Sequence, residues 1–187
     1  MISAGKNVFL YPMAVTLLGA NVRGKANFMP LGWISRVNAD PPMVGIGVYK
    51  SHHTCEGILE NRTFSINVPD AALVKKTDYC GLVSGKDTDK SGIFSVFYGQ
   101  LGTAPMIREC PLRMECRIID TLSLPTNYLF IGEIVASYTE ERFLTAGKPD
   151  IRKINPLLLT MPDNTYWTVG ACAGSAWDAG KELNGKE

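Results

Sequence analysis

The sequence predicts a mainly β domain with inserted helices, in which antiparallel strands close into a barrel. At least six runs rich in Val, Ile, Leu and aromatic residues are typical of strands. The clearest are residues 112–124 and 128–138, which a loop at residues 123–127 joins as a hairpin. Only residues 54–61 and 71–82 form longer segments with helical spacing. Strands and helices do not alternate along the chain, which excludes a doubly wound parallel sheet and favours the barrel.

The N-terminal third predicts a hairpin whose second strand lies at an edge. Residues 14–20 have the pattern of the first strand, residues 21–25 supply turn chemistry, and the second strand ends in residues 32–35. Pro30 removes one hydrogen-bond donor from that second strand, so we expect an edge or a bulge there. An edge leaves backbone groups free for a ligand.

The next segments predict a buried strand, a helix and a returning strand. Residues 43–48 are a continuous apolar run with two glycines, as expected of a strand that another backbone approaches closely. The run is not a dinucleotide-binding fingerprint, because it lacks the third glycine and the strand-to-helix turn. Helix 54–61 follows with Thr54 as its predicted N-cap, and residues 63–68 return as a strand.

The polar segment at residues 84–91, which follows helix 71–82, allows two interpretations. It is either a solvated loop or a loop in which Lys86 and Lys90 reach an anionic ligand. At the C-terminal end, residues 178–187 are polar and contain glycine, and we expect them to fray.

Composition limits the classes of function. The 187 residues fit one domain, residues 1–187, that buries roughly 70% of its unfolded surface. With 19 basic and 18 acidic side chains and no block of like charge, we expect neither nucleic acid nor a membrane as a partner. The apolar run at residues 8–20 is interrupted and too short to span a bilayer. The five scattered cysteines include no CxxC pair, which indicates a reducing, cytoplasmic location and no zinc site.

Side chains for conventional acid–base or nucleophilic catalysis are scarce. The two histidines, His52 and His53, are adjacent, so they point in different directions and are a poor basis for a metal site. No GxSxG motif is present, and any serine nucleophile would need one of these histidines as its base. We therefore expect no catalytic side chain and no metal, and favour a protein whose chemistry is carried by a bound cofactor.

Residues 27–54 are the best candidate for such a binding site. A flat ligand could lie along the first part of this segment, while residues 51–54 hold its phosphate with hydroxyls and free backbone N–H groups at a helix start. The alternative is two core strands followed by a helix that Thr54 caps, with no ligand. The residues alone leave both interpretations open.

The order and spacing of several short motifs resemble those of the flavin reductase-like, FMN-binding split-barrel family, and most closely its flavoredoxin branch. Together the motifs extend over roughly residues 8–180. They are residues 27–35, 40–42, 51–54, 64–69, 78–90, 130–134 and 166–167.

The resemblance implies a homodimer of split β-barrels with one FMN per subunit near the dimer interface. In such proteins the strand that matches residues 31–35 runs beside the flavin ring, and its main-chain N–H groups can bond ring O4 and N5. The resemblance also implies that residues 51–54 hold the phosphate, that Lys90 reaches the phosphate or the ring edge, and that Trp167 covers the ring. The implied FMN-binding residues are Asn27, Met29, Leu31, Gly32, Trp33, Ile34, Ser35, Ser51, His52, His53, Thr54, Asn67, Lys90 and Trp167.

Each implied contact has a simpler alternative: Trp33 as a core aromatic, Asn67 as a turn residue and Lys90 as a surface lysine. Gly32 stands where the family commonly has a small hydroxyl residue or alanine, which leaves main-chain contacts to the ring. Lys86 stands where arginine is common, and lysine lacks the planar fork of arginine.

The predicted function is that of an FMN-dependent oxidoreductase or electron-transfer protein. NAD(P)H or a reduced redox protein would be the electron donor, and free flavin, a ferric complex or a redox partner the acceptor. The alternatives are a non-catalytic flavin-binding or storage protein, and a barrel that has lost its ligand.

Overall fold

The computed structural model describes residues 1–6 and 9–183. Within this part of the chain, strands predominate and the helices are short and inserted between them, as predicted. The strands are β1 Met13–Ala14, β2 Thr16–Val22, β3 Lys25–Leu31, β4 Ile34–Asn38, β5 Met43–Tyr49, β6 Thr63–Val68, β7 Val96–Phe97, β8 Met106–Ile107, β9 Leu112–Ser123, β10 Asn127–Thr139, β11 Leu144–Thr145, β12 Lys148–Pro149, β13 Leu158–Thr160 and β14 Thr165–Trp167. The α-helices are α1 His53–Asn61, α2 Val74–Leu82 and α3 Ile151–Ile154, with short 3₁₀ helices at Ala71–Leu73, Glu141–Phe143 and Lys181–Leu183.

A seven-stranded antiparallel sheet in the order β3-β2-β6-β9-β10-β5-β4 forms the body of the fold. The predicted hairpin of the two longest strands is present as β9 and β10, which pair along most of their length. β3 is the terminal strand on its side of the sheet, so the prediction of an edge at Pro30 is confirmed. Two-stranded sheets β7-β8 and β11-β12 and a small sheet β1-β13-β14 complete the described strands.

Strand β2 separates two hydrophobic clusters. Leu18 belongs to a cluster that also contains Ile58 of α1 and Phe64 of β6. Its neighbour Leu17 points to the opposite face and packs in a second cluster, which contains Cys80 of α2. Because successive strand residues face opposite sides, burial on both faces explains why β2 is apolar along most of its length. Helices α1 and α2 therefore lie over different cores, and the edge strand β3 passes between their ends.

The close approach of α1 to β2 depends on Gly57. A Cβ at this position would overlap the backbone carbonyl of Asn21, so only glycine allows the helix to lie this close to the strand. The Asn61 side chain fixes the same contact, since its Nδ2 donates to Asn21 O at 2.9 Å. The middle and the end of α1 are thereby held beside the β2–β3 hairpin.

Several local predictions need correction. Helix α1 begins at His53 with His52 as its N-cap, so Thr54 lies inside the first turn and is not the cap. The strand expected to run on to residue 35 ends at Leu31, and β4 then pairs with β5. The predicted helix 71–82 begins as the 3₁₀ turn Ala71–Leu73 before α2. Of the tail expected to fray, residues 184–187 lie outside the described residues.

Candidate functional site

A cleft of about 460 Å³ lies where β3, the start of α1 and the segment after α2 meet. Its walls come from three separated parts of the sequence. The fold brings them together because α1 and α2 flank the edge strand. The cleft is lined by Asn27, Met29, Pro30, Ser51, His52, His53, Thr54, Cys80, Gly81, Leu82, Val83, Ser84, Gly85 and Lys90.

The start of α1 presents hydrogen-bond donors at this cleft. The N-cap His52 makes no side-chain cap bond, and the first N–H groups of a helix have no intrahelical acceptor. The positive end of the helix dipole adds to their attraction for an anion. Ser51, an exposed residue immediately before the N-cap, adds a hydroxyl group. This end of the cleft is therefore suited to a phosphate.

Asn27 orients the hydroxyl group of Thr54. Both side chains are buried, and Asn27 Nδ2 donates to Thr54 Oγ1 at 2.8 Å. Because the Thr54 oxygen accepts this bond, its own hydroxyl proton is left to donate to another group. A ligand phosphate in the cleft would be a suitable acceptor.

Lys90 is a buried cation at the floor of the cleft. Its side chain is only 4% exposed, and Nζ donates to Phe28 O at 3.1 Å and to Cys80 O at 2.8 Å. Burial lowers the pKa of Lys90 below its ordinary value. An ammonium group has three donors, so one remains after these two bonds. Of the two interpretations of residues 84–91, the burial of Lys90 favours a loop that reaches an anionic ligand.

Glycine is required where the end of α2 and the 83–90 loop meet β3. A Cβ on Gly85 would overlap Asn27 Oδ1 and would come within 2.8 Å of His53 Cδ2. A Cβ on Gly81 would lie 2.9 Å from Pro30 Cγ. The backbone at the end of α2 and in the loop after it therefore forms a close wall of the cleft, and a side chain at either glycine would displace the residues that shape it.

The two histidines have different surroundings. His53 is mostly buried, with Nδ1 3.3 Å from Oε1 of Glu56 one helical turn later. His52 is more exposed, and partial burial lowers the pKa of its imidazole while the positive charge of Lys90 lowers it further. His52 therefore favours its neutral form at the cleft.

A second, smaller cleft continues along the strand edge. It has a volume of about 330 Å³ and shares Met29, Pro30 and His52 with the first. The predicted ring-side residues Leu31, Gly32 and Trp33 line this continuation. The two clefts together form a path from the start of α1 to the backbone between β3 and β4.

Ile34 and Ser35 line a different, apolar cavity of about 820 Å³. This cavity shares Gly32, Trp33 and Gly47 with the smaller cleft, so the two adjoin at Trp33. Trp33 is 52% exposed, which is inconsistent with the alternative of a core aromatic.

Two predicted contact residues do not line these clefts. Asn67 is fully buried, and its side chain bonds Leu17 O, Ser65 Oγ and the N–H of Ile107. These bonds give Asn67 a structural role in joining β6 to its neighbours. Trp167, on β14, is half-exposed and donates from Nε1 to Thr160 Oγ1 at 2.9 Å.

Sequence reasoning missed several lining residues, above all residues 80–85 and Pro30. The available signal was the pair of glycines, Gly81 and Gly85, within the motif at residues 78–90. Tyr49 and Asn127, which line the smaller cleft, carried no comparable signal.

The described residues also bear on metal and membrane binding. Within residues 1–6 and 9–183, no group of three or more His, Cys, Asp or Glu side chains is arranged to hold a metal ion. None of the helices in that same part of the chain is both long and apolar enough to cross a bilayer.

Comparison with known families identifies the family and the fold. Residues 8–160 match the model of the flavin reductase like domain. The chain belongs to this family. The predicted resemblance is thus confirmed over residues 8–160, which include β3, α1 and the 83–90 loop.

Solved structures support the flavoredoxin branch. The chain is 66% identical to a flavoredoxin from Methanosarcina acetivorans, with a TM-score of 0.97 and coverage of 98% of both chains. It is 30% identical to the flavoredoxin of Desulfovibrio vulgaris, with a TM-score of 0.90 and coverage of 96% of this chain and 99% of that one. A putative flavin reductase with a split barrel domain from Shewanella frigidimarina is 21% identical, with a TM-score of 0.79 over 89% and 87% of the two chains. The fold is therefore a split β-barrel.

Proposed function

We propose that this chain binds FMN in the paired clefts and passes electrons through it, as a flavoredoxin-like redox protein. The observation that carries the proposal is the continuity of the two clefts. Hydrogen-bond donors suited to a phosphate lie at one end, beside α1. An exposed strand edge with Trp33 lies at the other end. The similarity to two flavoredoxins supports FMN as the cofactor.

The residues around α1 and Lys90 would bind the phosphate. Ser51 and the oriented hydroxyl of Thr54 are neutral donors, and the first-turn N–H groups of α1 add fixed dipoles. Lys90 supplies a positive charge whose remaining donor needs an acceptor. Charge-assisted hydrogen bonds of this kind are about twice as strong as neutral ones, so we expect this end to dominate affinity.

The backbone at residues 31–35 would position the ring. The segment passes from β3 to β4, and only part of its backbone takes part in the sheet ladder. Bound FMN supplies the redox chemistry, because its ring reversibly accepts electrons. Fixed N–H dipoles beside the ring would stabilise negative charge in the way that an oxyanion hole does. No protein side chain is then required as an acid or base.

The electron donor is NAD(P)H or a reduced redox protein in this proposal, with flavin, a ferric complex or a partner protein as acceptor. Anaerobic rapid mixing with NADH and with NADPH separates the possibilities. Bleaching of the flavin absorbance by either nucleotide supports a flavin reductase. No bleaching with either, together with reduction by a protein donor, supports an electron carrier. If neither kind of donor works, the protein is a flavin-binding or storage protein.

We also propose that the protein is a cytoplasmic homodimer. The apolar cavity beside Trp33 includes Val37, which is 49% exposed, and Leu10, which is 88% exposed, in a surface suited to a second copy. Association would bring a partner subunit close to the ring end of the cleft. The five free cysteines are consistent with a reducing compartment.

The binding site is tested with Thr54→Val, which keeps the shape of the side chain and removes its hydroxyl. We expect the affinity of the apoprotein for FMN to fall about tenfold or more, the equivalent of about 1.4 kcal/mol. Binding is measured by quenching of flavin fluorescence, after the spectrum and the released cofactor of the purified protein have been identified.

The matched control is Thr77→Val. Thr77 is also a buried helical threonine, but it lies on α2 outside the clefts, and its hydroxyl has no partner among the described residues. We expect Thr77→Val to bind FMN as the parent protein does. Equal affinity of both variants and the parent would contradict the assigned phosphate site, and failure of the parent protein to bind FMN would contradict the proposed function.

A further inference from the structure

The C-terminal arm, residues 170–181, is not packed into the core of its own subunit. Every residue of the arm is exposed. Within the described chain, its hydrogen bonds join residues of the arm itself, such as Ala179 N to Ser175 O at 3.0 Å and Lys181 N to Asp178 O at 2.9 Å. The arm therefore has local structure of its own, and its apolar side chains face outward.

Trp177 presents a large apolar surface on this arm. Its side chain is 95% exposed, and its backbone has a positive φ of 60°. A bulky residue in this left-handed region is strained, and such strain persists where surrounding contacts impose it. An indole left in water also forgoes the roughly 150–250 Å² of burial that an aromatic side chain gains in a core or interface. Exposure and strain together indicate that Trp177 packs against another molecule.

The apolar cavity beside Trp33 has a complementary surface. Its floor lies low because β5 carries glycines there: a Cβ on Gly45 would lie 2.9 Å from Val37 Cγ1, and a Cβ on Gly47 would lie 3.3 Å from Trp33 Cε3. The walls include Leu10, Trp33 and Val37, which are all exposed. Contiguous exposed apolar surface of this kind marks an interaction site. With a volume of about 820 Å³, the cavity has room for a large side chain.

We propose that the arm of each subunit extends to the second copy of the chain and places Trp177 in the partner's apolar cavity. The inference rests on the proposed homodimer and deepens it, because it assigns which segment of one subunit meets which surface of the other. It does not depend on the identity of the cofactor.

Symmetry and chain length are consistent with this exchange of arms. In a two-fold dimer the contact is reciprocal, so each subunit gives one arm and accepts one. Residues 168–177, from the end of β14 to the indole, span up to about 33 Å when extended. Two buried indoles supply roughly 300–500 Å² of interface, and a stable interface buries roughly 1,200–2,000 Å². The rest of the arms and the cavity walls would supply the remainder.

The position of the cavity gives the exchange a consequence for the proposed FMN site. The cavity shares Gly32, Trp33 and Gly47 with the cleft at the ring end of that site. The partner subunit's Trp177 would therefore lie next to the ring end. Each proposed site would then be bordered by side chains from both subunits.

A double-mutant cycle on dimer dissociation tests the contact. Analytical ultracentrifugation gives the dissociation constants of the parent, Trp177→Ala, Val37→Asp and the double variant. We expect each single variant to weaken the dimer about 30-fold, the effect of a hot-spot residue. Because the two residues meet in the proposed contact, the double variant should again lose about 30-fold, and not the roughly 900-fold expected for independent sites.

The matched control for the cycle is Leu59→Ala. Leu59 is also an exposed large apolar residue, 44% exposed, but it lies on α1 and does not line the cavity. We expect this variant to weaken the dimer less than about threefold. Trp177→Phe, which keeps an aromatic ring, should restore most of the strength lost in Trp177→Ala.

Cross-linking distinguishes the partner's cavity from the cavity of the same chain. The background variant is Cys172→Ser, because Cys172 is exposed and the other four cysteines are buried. Val37→Cys and Trp177→Cys are made separately in this background, mixed to allow subunits to exchange, and treated with a short bismaleimide. We expect a covalent dimer of one Val37→Cys chain and one Trp177→Cys chain. Glu60→Cys, an exposed α1 position outside the cavity, replaces Val37→Cys in the control and should give no such product.

Three outcomes overturn the inference. A cross-linked monomer of Val37→Cys/Trp177→Cys, with no covalent dimer in the mixture, shows that the arm folds onto its own subunit. A dimer whose strength is unchanged in Trp177→Ala, or whose losses add in the double variant, leaves the homodimer in place without this contact. A parent protein that stays monomeric at every concentration contradicts the homodimer and the inference together, while FMN binding is still measured independently.

Discussion

Two buried charges, Glu115 and Lys90, lie in different parts of the molecule and are satisfied to different degrees. Glu115 on β9 is fully buried and accepts bonds from Gln100 N at 2.9 Å, Leu101 N at 2.8 Å and the hydroxyl of Tyr138 at 2.6 Å. All three donors come from the protein itself. A buried carboxylate with this set of bonds serves the fold, because it holds the 99–101 loop against the sheet.

Lys90 is almost as deeply buried, but its partners are two neutral carbonyl groups. It forms no ion pair with a carboxylate of residues 1–6 or 9–183. One carbonyl, that of Cys80, lies in the last turn of α2, where helix carbonyls lack intrahelical donors and a cation is favoured by the dipole. The other belongs to the edge strand. A buried charge that retains a free donor beside a cleft is suited to a ligand. This difference distinguishes the structural site at Glu115 from the proposed binding site at Lys90.

The largest expected effect is the loss of stability when the Glu115 carboxylate is removed. Glu115→Ala leaves three partly buried donors without their acceptor, and we expect a loss of about 3 kcal/mol in the free energy of unfolding. Denaturant unfolding measures this change. Tyr138→Phe removes one donor from the same cluster and should cost about 1 kcal/mol, which keeps the prediction testable if the alanine variant does not fold.

The control for Glu115 is Glu109→Ala. Glu109 also accepts bonds from a backbone N–H group, that of Ser95, but at a more exposed position. We expect a loss of less than about 1 kcal/mol. Folded Tyr138→Phe should bind FMN like the parent protein. A reduced FMN affinity in that variant would show that the Glu115 cluster also affects the proposed FMN site.

The next largest expected effect is at Lys90, where we expect a large loss of FMN affinity and only a small change in stability. Lys90→Met keeps an unbranched chain of similar length and removes the charge. We expect FMN affinity to fall by roughly 30-fold, or about 2 kcal/mol, because a charge-assisted bond to the phosphate is lost. Stability should change by about 1 kcal/mol or less, since the desolvation cost of the ammonium disappears along with its two hydrogen bonds.

Fluorescence titration and denaturant unfolding of Lys90→Met provide the two measurements. Lys86→Met is the matched control, because Lys86 belongs to the same loop but is 50% exposed and does not line the FMN cleft. A stability loss in Lys90→Met as large as that of Glu115→Ala, with FMN affinity unchanged, would make Lys90 a structural residue.

The contrast between these residues also shows how far the sequence could be interpreted. The strands and the edge position at Pro30 follow from local pattern and turn chemistry, which neighbouring residues determine, and the same kind of pattern predicts a phosphate site at residues 51–54. Which lysine of the polar loop is buried does not follow in this way. Lys90 is buried because two carbonyl groups from β3 and α2 meet at that point, and only the packed fold brings them together.

Asn67 is a second residue whose surroundings do not follow from the local sequence. Its match to a family motif made it a predicted ligand contact, and its place before Val68-Pro69 suggested a turn residue instead. The fold directs its amide to Leu17, Ser65 and Ile107. An asparagine in a strand can face a cleft or a core, and alternation along β6 does not say which side the ligand occupies. The predicted N-cap of α1, Thr54, is two residues away from the observed N-cap, His52. The reason is related, because the Thr54 hydroxyl bonds the side chain of Asn27 on β3 and not a backbone group of its own helix.

The smallest expected effect is a pH dependence that couples His52 to the charge of Lys90. Partial burial and the positive charge of Lys90 both lower the pKa of His52 from its ordinary value of 6.5. The unfolded chain therefore binds more protons at this site than the folded apoprotein, and stability falls as the pH decreases through that range. The carboxylate of Glu56, whose pKa is lowered, remains ionised there and adds no slope.

Denaturant unfolding of the apoprotein between about pH 7.5 and about pH 5.5 measures this dependence. We expect His52→Asn to have a shallower loss of stability toward low pH than the parent protein. Lys90→Met should lie between the two, because it removes the repulsion and retains the burial. A parent and a His52→Asn variant with equal slopes would contradict the link to His52. A slope in Lys90→Met equal to that of the parent protein would show that the lysine charge does not act on this imidazole.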